Sequence, residues 1–476
     1  MDQHPGLDVA LVCTPHSGHA LPTIHVARAL ARRGHRARLF TCDWAVEEFG
    51  PLVKEAGAEI FGLRCAGGLT KQKLQEMSER QIFALSAAEP MQVPLAEALR
   101  ARRPDVVVAD FGAVAGMRVA EELGIPLVVN MPGPVALARD ALGLMDTSTH
   151  RSFGGLHLGL SGRGPFAFVT WMNIKFIGDW FAEVRRHLAG GAVLLINSFW
   201  GMDEPMALPP NIVVTGPLLP PAVDLRSALQ ASHPELCDFL AGAGGEAIYV
   251  TTGSTVELKA WQVEALYEGL KRTGRKVVWS LKKAQQAMLP CASDPDFYIS
   301  SWTPQAELLQ HEAINVVVTH CGWGGALETI LAGRPIIAMP FCGDQPQNAQ
   351  LLVTAGVGEP VGKIPKTMGK ERNPYSEGDF TADTVHAAAS KILDGYEAYE
   401  RAAGRLRAAA QATGGPDLAV QHIEWAARLG TAHRTPPHLA KTMGSSYHSG
   451  LAVAAAYLAA GLAVSVGVAV TWWRQR

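Results

Sequence analysis

Two places in this chain combine residues that can move a proton with residues that can hold an anion. The first is the turn Thr14-Pro15-His16-Ser17-Gly18-His19, between an apolar run and an amphipathic stretch, where His19 is available as a general base. Asp110 closes another apolar run, 106–109, and a carboxylate beside imidazole Nδ1 would orient such a base and stabilise its protonated form. Each residue also has a plainer use. A lone loop histidine is more often solvated or capping, and an aspartate before a helix is more often an N-cap. The second place runs from Trp302-Thr303-Pro304-Gln305 through His320-Cys321-Gly322-Trp323-Gly324-Gly325 and Glu328 to Asp344-Gln345. Here a strand ends in His320 and glycines open a helix at about residue 325. Free helix N–H groups and a positive dipole end at a strand's carboxyl edge make an anion site suited to a diphosphate.

Other groupings carry less. Only Gly18 stands in the first turn, so the three-glycine dinucleotide fingerprint is absent, although Asp43 after the second strand imitates a ribose-binding acid. An NAD oxidoreductase is thereby disfavoured. Asp294-Pro295-Asp296 offers two acids to a metal but sits where a turn precedes the strand 297–300. The 7 cysteines are scattered and form no Cys-x-x-Cys, which argues against both a disulfide framework and a zinc cluster.

The elements that must position these residues alternate strand-like and helical. Runs at 9–13, 37–41, 106–109 and 127–130 alternate with amphipathic stretches such as 21–33, and a second series follows at 247–251, 276–280, 297–300, 316–319 and 336–339. This βαβ rhythm predicts two doubly wound parallel sheets. Pro217, Pro220 and Pro221 suit an extended connection between them. Helical stretches near 381–394, 396–411 and 417–429 are expected to close the second domain.

With 476 residues, 48% of them hydrophobic and 18% charged, the chain can fill large cores and is not disordered in composition. Its 42 Lys+Arg against 44 Asp+Glu leave a net charge of −2, which excludes nucleic-acid binding by bulk charge. The polar N-terminus has no signal-peptide core, whereas no Asp, Glu, Lys or Arg lies between Lys441 and Arg474. At 1.5 Å per residue, 450–471 would span about 33 Å, enough for a hydrocarbon core of ~30 Å, with Trp472 and Trp473 as interfacial anchors. The expectation is a single-pass C-terminal transmembrane helix with the preceding domains in the cytosol, on the endoplasmic reticulum.

The stretch 302–345 resembles the nucleotide-sugar signature of UDP-dependent glycosyltransferases, the family that includes plant secondary-product and animal UDP-glucuronosyl enzymes. A weaker likeness reaches to about residue 430 and includes the His19 turn, Asp110, 214–218 and 249–254. The resemblance implies an α/β fold of GT-B architecture, two facing Rossmann-like domains. Trp302, beside Thr303, would stack on uracil, and Gln305 and Glu328 would bind the ribose hydroxyls. Ser254, His320 and the backbone of Gly322, Gly324 and Gly325 would hold the diphosphate, with Trp323, Asp344 and Gln345 facing the sugar. Many plant members carry Asn-Ser where this chain has Gly324-Gly325, so two side-chain donors are missing.

The resulting expectation is inverting transfer of a hexose, glucose first, from a UDP-sugar to a small lipophilic acceptor such as a sterol, terpenoid or phenol. His19 and Asp110 are the catalytic pair, and no metal or other cofactor is expected. UDP-glucuronosyl transfer, an epimerase and a non-catalytic sugar-nucleotide binding protein are the alternatives. The expected domains are 1–216 for the acceptor, a linker at 217–235, 236–430 for the UDP-sugar, a tether at 431–449 and the span 450–473.

Overall fold

Apolar runs that are buried on both faces, such as Val106 to Ala109, can only be central strands of a parallel sheet. In the computed structural model, which describes residues 5–64, 89–142, 178–203, 205–220, 225–254, 256–365 and 373–434, they build two such sheets. The first comprises β1 (Asp8–Val12), β2 (Arg36–Cys42), β3 (Glu59–Leu63), β4 (Val106–Asp110), β5 (Leu127–Met131), β6 (Val193–Ile196) and β7 (Ile212–Val214), in the order β3-β2-β1-β4-β5-β6-β7. The second comprises β8 (Ala247–Thr251), β9 (Lys276–Ser280), β10 (Phe297–Ser300), β11 (Ile314–Thr319), β12 (Ile336–Ala338) and β13 (Gly358–Pro360), in the order β10-β9-β8-β11-β12-β13. The pairings within both sheets are parallel.

In each sheet the strand order reverses beside the first strand, between β1 and β4 and again between β8 and β11. Ligands of open α/β sheets bind outside the carboxyl ends at such a switch point. The first switch point carries the helix Ser17–Arg32 after β1 and Asp110 at the end of β4. The second carries the turn after β8 and the helix Trp323–Ala332 after β11. This helix begins at Trp323, two residues earlier than the glycine pattern suggests, so Gly324 and Gly325 lie in its first turn.

The last helix corrects the expected division of the chain. Gly415–Leu429, assigned from sequence to the second domain, packs Ala419, Val420, Ile423 and Ala426 against Val9, Leu11, Val106, Val108 and Val128 of the first sheet. A parallel sheet must be covered on both faces, and this helix lies beside Ser17–Arg32 on one of them. The chain therefore crosses between lobes twice, and the crossings touch: Gly415 N donates to Thr215 O at 2.7 Å. No helix among the described residues is long and apolar enough to cross a membrane. The expected tether beyond Arg434 and the span 450–473 lie outside the described residues.

Candidate active site

His19 sits in the first turn of its helix, three residues from the N-cap His16, and this places its ring over the carboxyl edge of the first sheet. Its Nδ1 lies 2.8 and 2.9 Å from the two Asp110 carboxylate oxygens. Asp110 is 1% exposed and also accepts from Gly112 N at 2.9 Å, so its position is fixed by backbone. With the Nδ1 proton donated to Asp110, Nε2 keeps its lone pair for an incoming hydroxyl. Phe111 stacks on the imidazole at 5.3 Å between centroids. Burial alone would lower the His19 pKa, but Asp110, through charge and hydrogen bond, and the charge of Asp344 raise it above the ordinary histidine value. Asp344 comes from the other lobe, so the two sheets present their carboxyl edges to one cleft.

On the far side His320 follows β11. Its Nδ1 is buried with no hydrogen-bond partner, and burial pushes its pKa down to about 4, so the ring is neutral near neutral pH. Backbone confines it on both sides: a Cβ on Gly253 would stand 2.5 Å from its Cε1, and one on Gly322 would stand 2.5 Å from its Nε2. Cys321, at φ 61, is the one non-glycine residue in the left-handed region among the described residues. That strained turn is held by Asn348, whose Nδ2 donates to Cys321 O at 3.0 Å and to Asp344 Oδ2 at 2.7 Å. An orphaned imidazole nitrogen beside a helix N-terminus with two glycines in its first turn is a suitable cradle for a diphosphate. Ser254 stands exposed just after Gly253, within the same turn.

Trp302, 64% exposed, offers an indole face to solvent, with the His233 ring 5.8 Å away. Next to it Tyr249 OH contacts Thr303 Oγ1 at 2.9 Å and donates to Gln305 Oε1 at 3.1 Å. This fixes the amide so that Nε2 donates to Glu328 Oε2. Burial raises the Glu328 pKa and pushes that of Tyr249 up to about 12. One Glu328 oxygen is therefore already occupied, and the other could accept from a hydroxyl such as ribose carries.

Two expected sugar-facing side chains are committed elsewhere. The Trp323 indole is 5% exposed and donates from Nε1 to Asn197 O of the first lobe at 2.8 Å, so its ring is committed to that contact. Gln345 Oε1 accepts from Phe341 N at 2.9 Å and Cys342 N at 3.1 Å, and its Nε2 donates to Cys342 Sγ at 3.6 Å, so the amide closes the loop before its helix. Asp344, whose pKa burial raises, keeps one carboxylate oxygen outside the Asn348 bond. Tyr249, Asn348 and Asn197 were not singled out from sequence. Asp294 is engaged by Lys271 Nζ at 2.7 Å and Tyr267 OH at 2.5 Å, as a turn residue would be. Among the described residues no three His, Cys, Asp or Glu side chains are grouped to hold a metal ion.

Residues 182–373 match the family model described as UDP-glucoronosyl and UDP-glucosyl transferase, and residues 7–171 match a glycosyl transferase 4-like domain. A UDP-glycosyltransferase of Talaromyces amestolkiae is 30% identical over 296 residues, covering 54% of this chain and 55% of that protein. The cyanidin-3-O-glucoside 2-O-glucuronosyltransferase of Bellis perennis is 29% identical over 278 residues, covering 55% of this chain and 60% of that protein. The chain thus spans little more than half the length of these curated relatives. Among solved structures, Medicago truncatula UGT71G1 complexed with UDP-glucose superposes with a TM-score of 0.65 at 19% identity, over 89% of this chain and 98% of that one. This likeness gives the fold, GT-B.

Proposed function

From this chain's membership of the UDP-glycosyltransferase family, we propose that it transfers a hexose, glucose in the first instance, from a UDP-sugar to a hydroxyl of a small lipophilic acceptor, with inversion and without a metal ion. The observation that carries this reading is the His19–Asp110 pair at one sheet edge facing Asp344 and the neutral, unpartnered His320 at the other. His19 Nε2 removes the acceptor's hydroxyl proton as the oxygen attacks the anomeric carbon from the face opposite UDP. The bond from that carbon to the diphosphate breaks, and the leaving charge falls on the helix N-terminus after Gly322 and on His320. Asp110 stabilises the imidazolium until the proton returns to solvent.

Incubation with labelled UDP-glucose, UDP-galactose, UDP-glucuronate and UDP-N-acetylglucosamine, with sterol and phenol acceptors, tests the reading. The expected product is a β-glucoside from UDP-glucose. Retained anomeric configuration, or preference for another donor, overturns the corresponding part. The segment 450–473 is proposed as a membrane anchor that keeps the lobes on the cytosolic side of the endoplasmic reticulum and near acceptors dissolved in the bilayer.

A further inference from the structure

The loop 197–203, between β6 and β7, makes polar contacts on both sides of the cleft. At its start Asn197 N donates to Met131 O at 3.0 Å, and Asn197 Nδ2 donates to Asn130 Oδ1 at 2.7 Å. Asn130 in turn pairs in register with Asp110 on β4, and its carbonyl accepts from Phe111 N at 2.8 Å. At the loop's end the Asp203 carboxylate, 4% exposed, accepts from Val135 N at 2.8 Å, Ala136 N at 3.0 Å and Ser198 Oγ at 2.6 Å. It thereby caps the first-lobe helix Val135–Leu142 from a distance. Between these anchorages the loop enters the second lobe. Phe199 and Met202 are buried against Cys321, Trp323, Ala326 and Leu406. Among the described residues, the hydrogen bond that joins the loop to the helix Trp323–Ala332 is from the Trp323 indole to Asn197 O.

We propose that Trp323 is a positioning residue, whose indole latches the diphosphate-side helix to loop 197–203 and so sets the helix Val135–Leu142 and the Asp110 edge relative to the donor. The same helix whose N-terminus faces the diphosphate carries this indole in its first turn, so seating the helix and seating the loop are one event. Removing the indole N–H leaves Asn197 O buried without a donor and loosens the start of the loop, with Phe199 and Met202 as its remaining apolar hold on the second lobe. The Asp203 cap then moves with the loop, and with it the start of the first-lobe helix.

The inference rests on the glycosyltransferase reading in its kinetic arm alone. Trp323→Phe keeps an aromatic ring and deletes the N–H. Hydrogen exchange of the ligand-free protein is expected to show the Val135 and Ala136 amides exchanging at least about fivefold faster, with those of β1 and β11 unchanged. Unchanged exchange at these two amides overturns the proposal whether or not the protein transfers sugar. In the kinetic arm, kcat is expected to fall about tenfold while the UDP dissociation constant stays within about twofold. A loss of UDP affinity in step with kcat overturns it, because Trp323 would then act on the donor directly. Should Trp323→Phe fail to fold, Trp323→Met, which also lacks the N–H and whose flexible chain fills apolar gaps, carries the same two measurements with the same expectations. If the wild-type protein transfers no sugar, the functional reading fails and the exchange arm still decides the latch.

Discussion

A base is useful at neutral pH only when its proton affinity lies near the working range, and around His19, the proposed base, opposing effects act. Burial disfavours its charged form, and Asp110 with Asp344 more than restores it. The proposed transfer needs the neutral ring, so kcat/KM is expected to rise with pH through a limb above the ordinary histidine value. Asp110→Asn should move that limb toward lower pH and reduce kcat. His19→Ala should lower turnover by at least about a hundredfold with UDP binding retained, and a titration of UDP beside initial rates checks both. The positions of these two residues were legible from the sequence, because Asp110 ends an apolar run that must be a parallel strand and His19 follows the turn after another. The destinations of the Trp323 indole and the Gln345 carbonyl were not. Each is set by a backbone partner, Asn197 O in one case and Phe341 N and Cys342 N in the other, and side-chain type says nothing about such a choice.

At the level of elements, the turn before the helix Trp323–Ala332 separates two glycine roles that look alike in sequence. Gly322 has φ −59, which any residue can adopt, so only the His320 ring forbids a side chain there. Gly324 has nothing within 4 Å of a would-be Cβ. Gly322→Ala is therefore expected to displace His320 and weaken UDP binding about tenfold, the loss of one charge-assisted hydrogen bond. Gly324→Ala should leave UDP affinity and thermal stability within about twofold and one degree or so, since alanine also favours the helix. Calorimetric titration of UDP into both variants separates the roles. Sequence periodicity located the buried strands such as β1, β4, β8 and β11, since apolar runs flanked by helices admit little else. It missed β13, whose Gly358-Glu359-Pro360 reads as a loop and is a strand only because β12 pairs with it. It likewise missed the mostly exposed β3, the short buried β6 and the short β7.

Across the whole molecule, the last described helix belongs to the first lobe although it follows the second in sequence, a placement that no local pattern signals because its apolar stripe would fit either sheet. It bears on how much of the C-terminal region can be removed. Truncation after Leu429 keeps Ala419, Val420, Ile423 and Ala426 on the first sheet and, among the described residues, loses peripheral contacts such as Arg434 over the Trp425 ring at 5.1 Å. Such a protein is expected to fold and to act on dispersed acceptors, but to lose rate on acceptors held in vesicles if 450–473 is an anchor. Equal rates of the two forms on vesicle-held acceptor, or full-length protein that does not sediment with membranes, would dispose of the anchor. The same helix also has a consequence for biosynthesis. Val9, Leu11 and Val108 are made early, yet their cover, 415–429, leaves the ribosome after the entire second lobe. Contacts so far apart in sequence form late, and an uncovered apolar sheet face is open to aggregation in the meantime. The lobe translated first is thus the lobe completed last, and during synthesis it is the one that most needs a chaperone.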